Sequence, residues 1–165
     1  NLIKNDVIVD LNIWAYLDNN FFESELDKIN FYREIEYIND INDLINLEND
    51  FTEINWELKN ENKNLFNILK LRLISKNYNI KSIKRSWVSF EIIFNENFTT
   101  IELKNFLDLD KDWFFIVNDL TKIKTPARNF QSDQSFLEYL LNILKEEKNK
   151  NIEGKKILRI KKNKL

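Results

Sequence analysis

An α+β fold is expected for this chain from three patterns in its sequence. A β-branched run, Val7-Ile8-Val9, lies near the start. Apolar residues then recur at helical spacing, and from Trp87 onward they alternate with other residues. We therefore predict an N-terminal strand and two amphipathic helices, a three-stranded antiparallel meander, and a C-terminal helix.

The first half of the chain is predicted to be mostly helical. After a strand within residues 5–16, Ser24 with Asp27 three positions later resembles a capping box, which predicts a helix over residues 24–47. A second helix is predicted over residues 62–75. The apolar residues that recur at helical spacing in the first helix are Leu26, Ile29, Ile38, Ile41 and Ile45. The residues expected to point inward in the second helix are Leu65, Ile68, Leu69 and Leu73.

In the second half of the sequence the apolar pattern changes to a period of two residues, which is the period of a strand. Strands are predicted over residues 87–94, 98–106 and 113–118, with turns at residues 95–97 and 108–112. Residues 121–131 are expected to form a loop around Pro126. Ser132 is expected to cap a last helix, and residues 157–160 form either a final strand or a tail that orders on a partner.

Composition limits both the architecture and the chemistry. The 165 residues are interpreted as a single domain over residues 1–165, with residues 150–165 as a candidate basic tail. Cysteine and histidine are absent, which excludes disulfides, Cys/His zinc sites and histidine-based catalysis. One glycine, Gly154, excludes a P-loop and a dinucleotide fingerprint. No metal or cofactor is expected, and the apolar runs are too short to span a bilayer. Because the chain starts with Asn and contains no Met, we expect a trimmed or processed segment.

Charge is distributed unevenly along the chain. Residues 1–61 hold 15 acids and four bases, whereas the remainder holds 12 acids and 21 bases. One interpretation is that both parts are solvated surfaces or face each other. A second is that the acidic part imitates or repels a polyanion, or docks on a basic partner, and a third is that the basic tail contacts phosphate. The docking interpretation predicts an interface with four aromatic and four acidic residues: Trp14, Tyr16, Phe21, Phe22, Glu34, Glu36, Asp40 and Asp43.

A metal-dependent nuclease is the alternative function. Glu91 on one predicted strand and Glu102-x-Lys104 on the next are similar to the PD-(D/E)xK nucleases. That resemblance implies metal-binding carboxylates with a lysine near the attacked phosphate, and it covers about 14 residues. Solvent-facing charge pairs across a hairpin would produce the same pattern.

Two further motifs resemble known metal sites. The segment around Val9-Asp10 looks like the opening strand of PIN-type nucleases, which would make Asp10 a metal ligand and Asp119 a later acid. Asp108-x-Asp110-x-Asp112 resembles the start of an EF-hand loop, but Trp113 stands where that loop needs glycine. A polar turn explains these last acids better than a calcium site.

Nucleic acid is the alternative partner. Aromatic residues interleave with bases between residues 81 and 94, and bases gather again near the end of the chain, as in proteins that stack bases and contact phosphates. The candidate residues are Lys81, Lys84, Arg85, Trp87, Lys155, Lys156, Arg159, Lys161 and Lys162. Solvated bases around core aromatics are the competing interpretation.

Taken together, the sequence favours a non-enzymatic protein–protein interaction protein, either a small inhibitor or immunity-type protein or a subunit of a larger assembly. Its expected partner is another protein, one that is basic or handles nucleic acid. An intracellular location is expected. The nuclease or nucleic-acid-binding module, with Glu91, Glu102 and Lys104, remains the alternative.

Overall fold

The computed structural model describes residues 6–55, 58–96, 100–116 and 119–144. The fold is α+β, as predicted, with five α-helices and a five-stranded sheet in these residues. The strands are β1 (Ile8–Asp10), β2 (Ile80–Arg85), β3 (Ser89–Phe94), β4 (Phe114–Ile116) and β5 (Asp119–Pro126). The helices are α1 (Glu25–Ile35), α2 (Ile41–Asn55), α3 (Asn60–Lys76), α4 (Thr100–Leu109) and α5 (133–144). No helix in these ranges is long and apolar enough to cross a membrane.

The sheet has the order β1-β2-β3-β5-β4. β1 and β2 are parallel, and every other neighbouring pair is antiparallel. One register row, Val9-Ile83-Ile92-Ile123, faces the helices, and Ile83, Ile92 and Ile123 are completely buried. The next row on the opposite face is charged, because Lys84 lies opposite Glu91 and Glu91 opposite Lys124.

Two apolar clusters meet at α3. The larger joins the sheet to α4 and α5, and in it the Phe90 and Phe136 rings stack with centroids 3.9 Å apart. The smaller lies among α1, α2 and α3. Leu71 of α3 belongs to the first cluster and Phe66 to the second. Because α3 is buried on two sides, its sequence lacks a strongly one-sided apolar stripe.

The predicted first helix is two helices. Ser24 caps α1 as expected, since its Oγ accepts a hydrogen bond from the Asp27 N–H. The chain then turns over residues 36–40, and Asp40 starts α2 by accepting a hydrogen bond from the Asn42 N–H. Asp favours such turns because its side chain competes for backbone donors. The helix predicted at residues 62–75 is confirmed as α3.

Two predictions for the second half are wrong in detail, and one strand was missed. Residues 98–106 were expected to form a strand, but residues 100–109 form α4, in which Phe106 packs against Phe94 and Trp113. The expected loop at residues 121–131 is largely β5, a strand paired on both sides. β2 was not predicted. The strand predicted at residues 87–94 is confirmed as β3, and β4 confirms residues 114–116 of the strand predicted at 113–118, of which residues 117 and 118 lie outside the described residues. The three antiparallel neighbours are β3, β5 and β4.

These differences arise because a short segment can match both the helical period of 3.6 residues and the strand period of two. Residues 101–104 alternate as a strand would, but residues 100–109 form a helix in which Phe106 is buried. Among the β5 residues whose burial the structure describes, Ile123 is the one fully buried apolar residue, so the strand carries a weak hydrophobic signal. Residues 157–160 and the candidate tail lie outside the described residues.

Candidate functional site

The turn between α1 and α2 forms an exposed acidic depression of about 670 Å³. Glu34 comes from the last turn of α1, Asp40 from the connection and Asp43 from the first turn of α2. Tyr37, with 39% of its surface exposed, lies among them, and Arg33 is also part of the lining. Three of the four predicted interface acids are therefore brought together in space. We name this surface the acidic depression, lined by Arg33, Glu34, Tyr37, Ile38, Asn39, Asp40 and Asp43.

The charges of the acidic depression are available to a partner. Glu34, Asp40 and Asp43 are exposed, and across the described ranges no lysine or arginine forms an ion pair with any of them. Asp40 and Asp43 also lie at the N-terminal end of α2, where negative charge interacts favourably with the helix dipole. The local fold therefore accommodates several negative charges close together, which solvent screens and a basic surface can neutralise.

The four predicted interface aromatics fall into two groups. Trp14 is 80% exposed and Tyr16 is 41% exposed, although α3 fixes their backbone: Asn64 Nδ2 donates to Trp14 O, and Asn62 Nδ2 donates to Tyr16 O. The other two, Phe21 and Phe22, are half-buried and pack against Phe51 in the smaller cluster. Glu36 is half-buried and lines a separate depression beside α1.

The resemblance to nucleases assumed that Glu91, Glu102 and Lys104 lie on the two strands of a hairpin. Glu91 lies in β3, but Glu102 and Lys104 lie in α4, where residues two apart do not share a face. Glu91 instead accepts from Lys124, with Oε1 2.8 Å from Nζ, and its Oε2 lies 3.8 Å from Lys122 Nζ. Among the described residues there is no group of three or more acids that could hold a metal.

The other acidic motifs have local structural partners. Asp10 ends β1 as predicted, but two strands separate β1 from β5, where Asp119 lies, so their spacing exceeds about 14 Å. Asp119 accepts from the Thr121 hydroxyl and N–H, which lowers the pKa of its carboxyl. Asp110 accepts a 2.7 Å hydrogen bond from the Tyr139 hydroxyl, and burial together with this bond raises the pKa of Tyr139 well above its usual range.

A second concave surface lies beside the β2–β3 turn. Two of the predicted nucleic-acid residues, Arg85 and Trp87, line a groove of about 790 Å³. Lys124 and Arg128 line it too, and sequence reasoning missed both because β5 was expected to be a loop. Lys81 and Lys84 are exposed on β2. The remaining predicted bases, Lys155, Lys156, Arg159, Lys161 and Lys162, lie outside the described residues.

Comparisons with known proteins identify both a family and a fold. The sequence pattern of the TRCF domain matches residues 11–104, which is more than half of the chain and includes the acidic depression. The C-terminal domain of transcription-repair coupling factor, known from a crystal structure, has the same fold, with a TM-score of 0.71 at 18% identity. That match covers 87% of this chain and 94% of the other. No curated protein matches this chain in sequence.

Proposed function

The chain belongs to the TRCF domain family, and from that membership we propose that it is a non-catalytic interaction domain in DNA repair. Its structural neighbour is a domain of a protein that couples transcription to repair, as its name states. Coupling requires contacts between proteins, and an intracellular location follows from such work. We favour a subunit or domain of a larger assembly over a free inhibitor or immunity-type protein, because the neighbour is itself one domain of a larger protein.

The observation that carries this proposal is the acidic depression. Glu34, Asp40 and Asp43 surround the half-exposed Tyr37 without an ion pair to any described base. Interfaces commonly place an aromatic anchor within charged surroundings, and the charge speeds association with a partner of opposite sign. The partner expected here is a basic protein surface that handles nucleic acid.

The docking test compares two charge-reversal variants of equal net charge. Glu34→Lys/Asp43→Lys alters the depression and spares Asp40, which caps α2. Asp50→Lys/Glu53→Lys alters two exposed acids farther along α2. A photo-crosslinking amino acid in place of Tyr37 captures and identifies the partner from cells that make the protein, and its affinity for both variants is then measured.

We expect the depression variant to weaken binding by about tenfold or more, and the control by less than about threefold. Equal losses in the two variants would show a non-specific charge effect and would contradict docking at the depression. The same holds if the partner crosslinks equally from position 37 and from an exposed position of α3 that does not line the depression, such as Lys63.

The absence of catalysis is tested separately. The chain is incubated with DNA and RNA in Mg²⁺ or Mn²⁺, beside the Glu91→Gln and Glu102→Ala variants. We expect no cleavage above background, since Glu91 is held by lysines and Glu102 lies on a helix. Cleavage that either substitution abolishes would establish the nuclease alternative and overturn the proposal.

A further inference from the structure

The β2–β3 turn presents two large apolar side chains on a fixed backbone. Trp87 is 96% exposed and Val88 is 76% exposed. The turn itself is closed by a 2.8 Å hydrogen bond from the Ser86 N–H to Ser89 O, and the Ala127 N–H donates to Val88 O at 2.9 Å. The exposed indole and its apolar neighbour on an anchored turn form an exposed apolar patch, and such patches mark ligand-binding surfaces.

Trp87 stands at one side of the groove of about 790 Å³, which we call the Trp87 groove. Phe114, 46% exposed on strand β4, lines it as well. Pro126 and Ala127 also contribute to its wall. The groove therefore combines two accessible aromatic rings with an extended concave surface.

All the charged side chains that line the Trp87 groove are cationic. Arg85, Lys124 and Arg128 contribute to the lining, and within the described part of the chain no carboxylate does. Arg85 is held by Asp133 at 2.6 Å and Lys124 by Glu91 at 2.8 Å, so both heads have fixed positions. Arg128 is exposed, and no described acid forms an ion pair with it.

The positive surface continues onto the sheet beyond the groove. Lys84 is exposed next to Arg85, and its register partner is Glu91, which is already held by Lys122 and Lys124. The local excess of cations thus extends along β2 and β5 from the groove. A ligand that follows this surface must be a polyanion.

We propose that the Trp87 groove binds single-stranded nucleic acid. Unpaired bases stack on exposed aromatic rings, and phosphates lie against lysine and arginine along a groove. An acidic peptide would satisfy the cations but would leave the exposed indole face unexplained. In a duplex the bases are already stacked on each other and do not reach the indole. This site is separate from the acidic depression and does not depend on the function proposed for it.

The test uses a fluorescein-labelled oligothymidylate of about 15 nucleotides, a length within the usual range for such sites, at low salt. Fluorescence anisotropy is recorded with the native chain and with Trp87→Ala, Trp87→Phe and Arg128→Ala. Trp14→Ala is the matched control, because Trp14 is 80% exposed but lies in the acidic half of the chain. Lys63→Ala, an exposed base on α3, is the control for Arg128.

We expect Trp87→Ala to weaken binding about tenfold, as removal of one stacking ring does, and Trp87→Phe to retain most of the affinity. Arg128→Ala should weaken binding and reduce the slope of log affinity against log salt by about one. Both controls should stay within about twofold of the native chain.

Three results would overturn the proposal. The first is no binding of the oligonucleotide by the native chain at low salt. The second is an equal change of affinity in the Trp87→Ala and Trp14→Ala variants, which would mean that Trp87 makes no specific stacking contact. The third is binding of polyglutamate, but not of the oligonucleotide, in a manner that requires Trp87, which would assign the groove to an acidic peptide.

Discussion

Replacing Asp133 with alanine should destabilise the fold by about 2–4 kcal/mol. Asp133 is 6% exposed and links three distant parts of the chain. Its Oδ1 lies 2.6 Å from Arg85 Nη1, and its Oδ2 accepts a 2.7 Å hydrogen bond from the Asn12 N–H. The Arg85 guanidinium also lies 5.0 Å from the centre of the Phe90 ring. The substitution would leave a cation and a backbone donor without their acceptor.

The magnitude follows from the two contacts and from exposure. Removing one partner of a fully buried ion pair costs about 3–5 kcal/mol. The Arg85 side chain is 31% exposed, so water screens part of that cost, and we expect loss of the ion pair to contribute about 2 kcal/mol. The unpaired Asn12 N–H adds about 1–2 kcal/mol. Asp133→Asn keeps the shape and one acceptor, so its cost should be about half that of the alanine variant.

Urea denaturation at neutral pH measures these differences, with Asp50→Ala as the control. Asp50 is exposed on α2, and its removal should change the free energy of unfolding by less than about 0.5 kcal/mol. A double-mutant cycle with Arg85→Met should give a coupling energy of about 1–3 kcal/mol. A cost below about 1 kcal/mol for Asp133→Ala would refute the assignment of Asp133 as the link between these segments.

Three further predictions concern packing, backbone conformation and pH. Phe136→Ala removes the ring stacked on Phe90 and should lower the free energy of unfolding, measured in urea, by about 3–5 kcal/mol. Phe115→Ala, at a site 44% exposed, should lower it by less than about 1 kcal/mol, and equal losses would contradict the core assignment. Asn79 has a φ of 55°, so Asn79→Ala should lower the free energy of unfolding, measured by thermal denaturation, by about 1 kcal/mol, whereas Asn79→Gly should change it little. The reverse order would contradict a left-handed backbone conformation at this residue. The pKa of Tyr139 is raised in the folded state, so the stability that Tyr139 contributes is complete below about pH 10 and falls as pH rises further. Tyr139→Phe should flatten this alkaline decline in the free energy of unfolding, and an unchanged decline would contradict the assigned role of Tyr139.

The helical half of the fold was predictable because its signals are local. The Ser24 cap, the apolar spacing and the acids before α2 each act within one or two helical turns. The same locality explains the acidic depression: Glu34, Asp40 and Asp43 lie within ten residues, so the α1–α2 turn brings them together. What the sequence did not reveal was the break between α1 and α2, because the turn over residues 36–40 contains neither glycine nor proline.

The sheet half was less predictable because its signals are not local. Residues 101–104 of α4 alternate as in a strand, yet the segment is a helix whose Phe106 packs against Phe94 and Trp113. β2 and β5 exist through pairing with β3, and few of their own residues carry a hydrophobic signal. The Trp87 groove depends on that pairing, since β5 supplies Lys124 and the short turn after it supplies Arg128.

The sequence by itself determined the α+β class, the capped and amphipathic helices, the exclusion of Cys and His chemistry, and the uneven charge. Only the tertiary structure decided which charges become neighbours. It places Glu102 and Lys104 on a helix and not on a strand paired with that of Glu91, and Lys124 holds Glu91. The reason is that helix caps and periodicity act over a few residues, whereas strand pairing and aromatic packing join residues that are far apart in the chain.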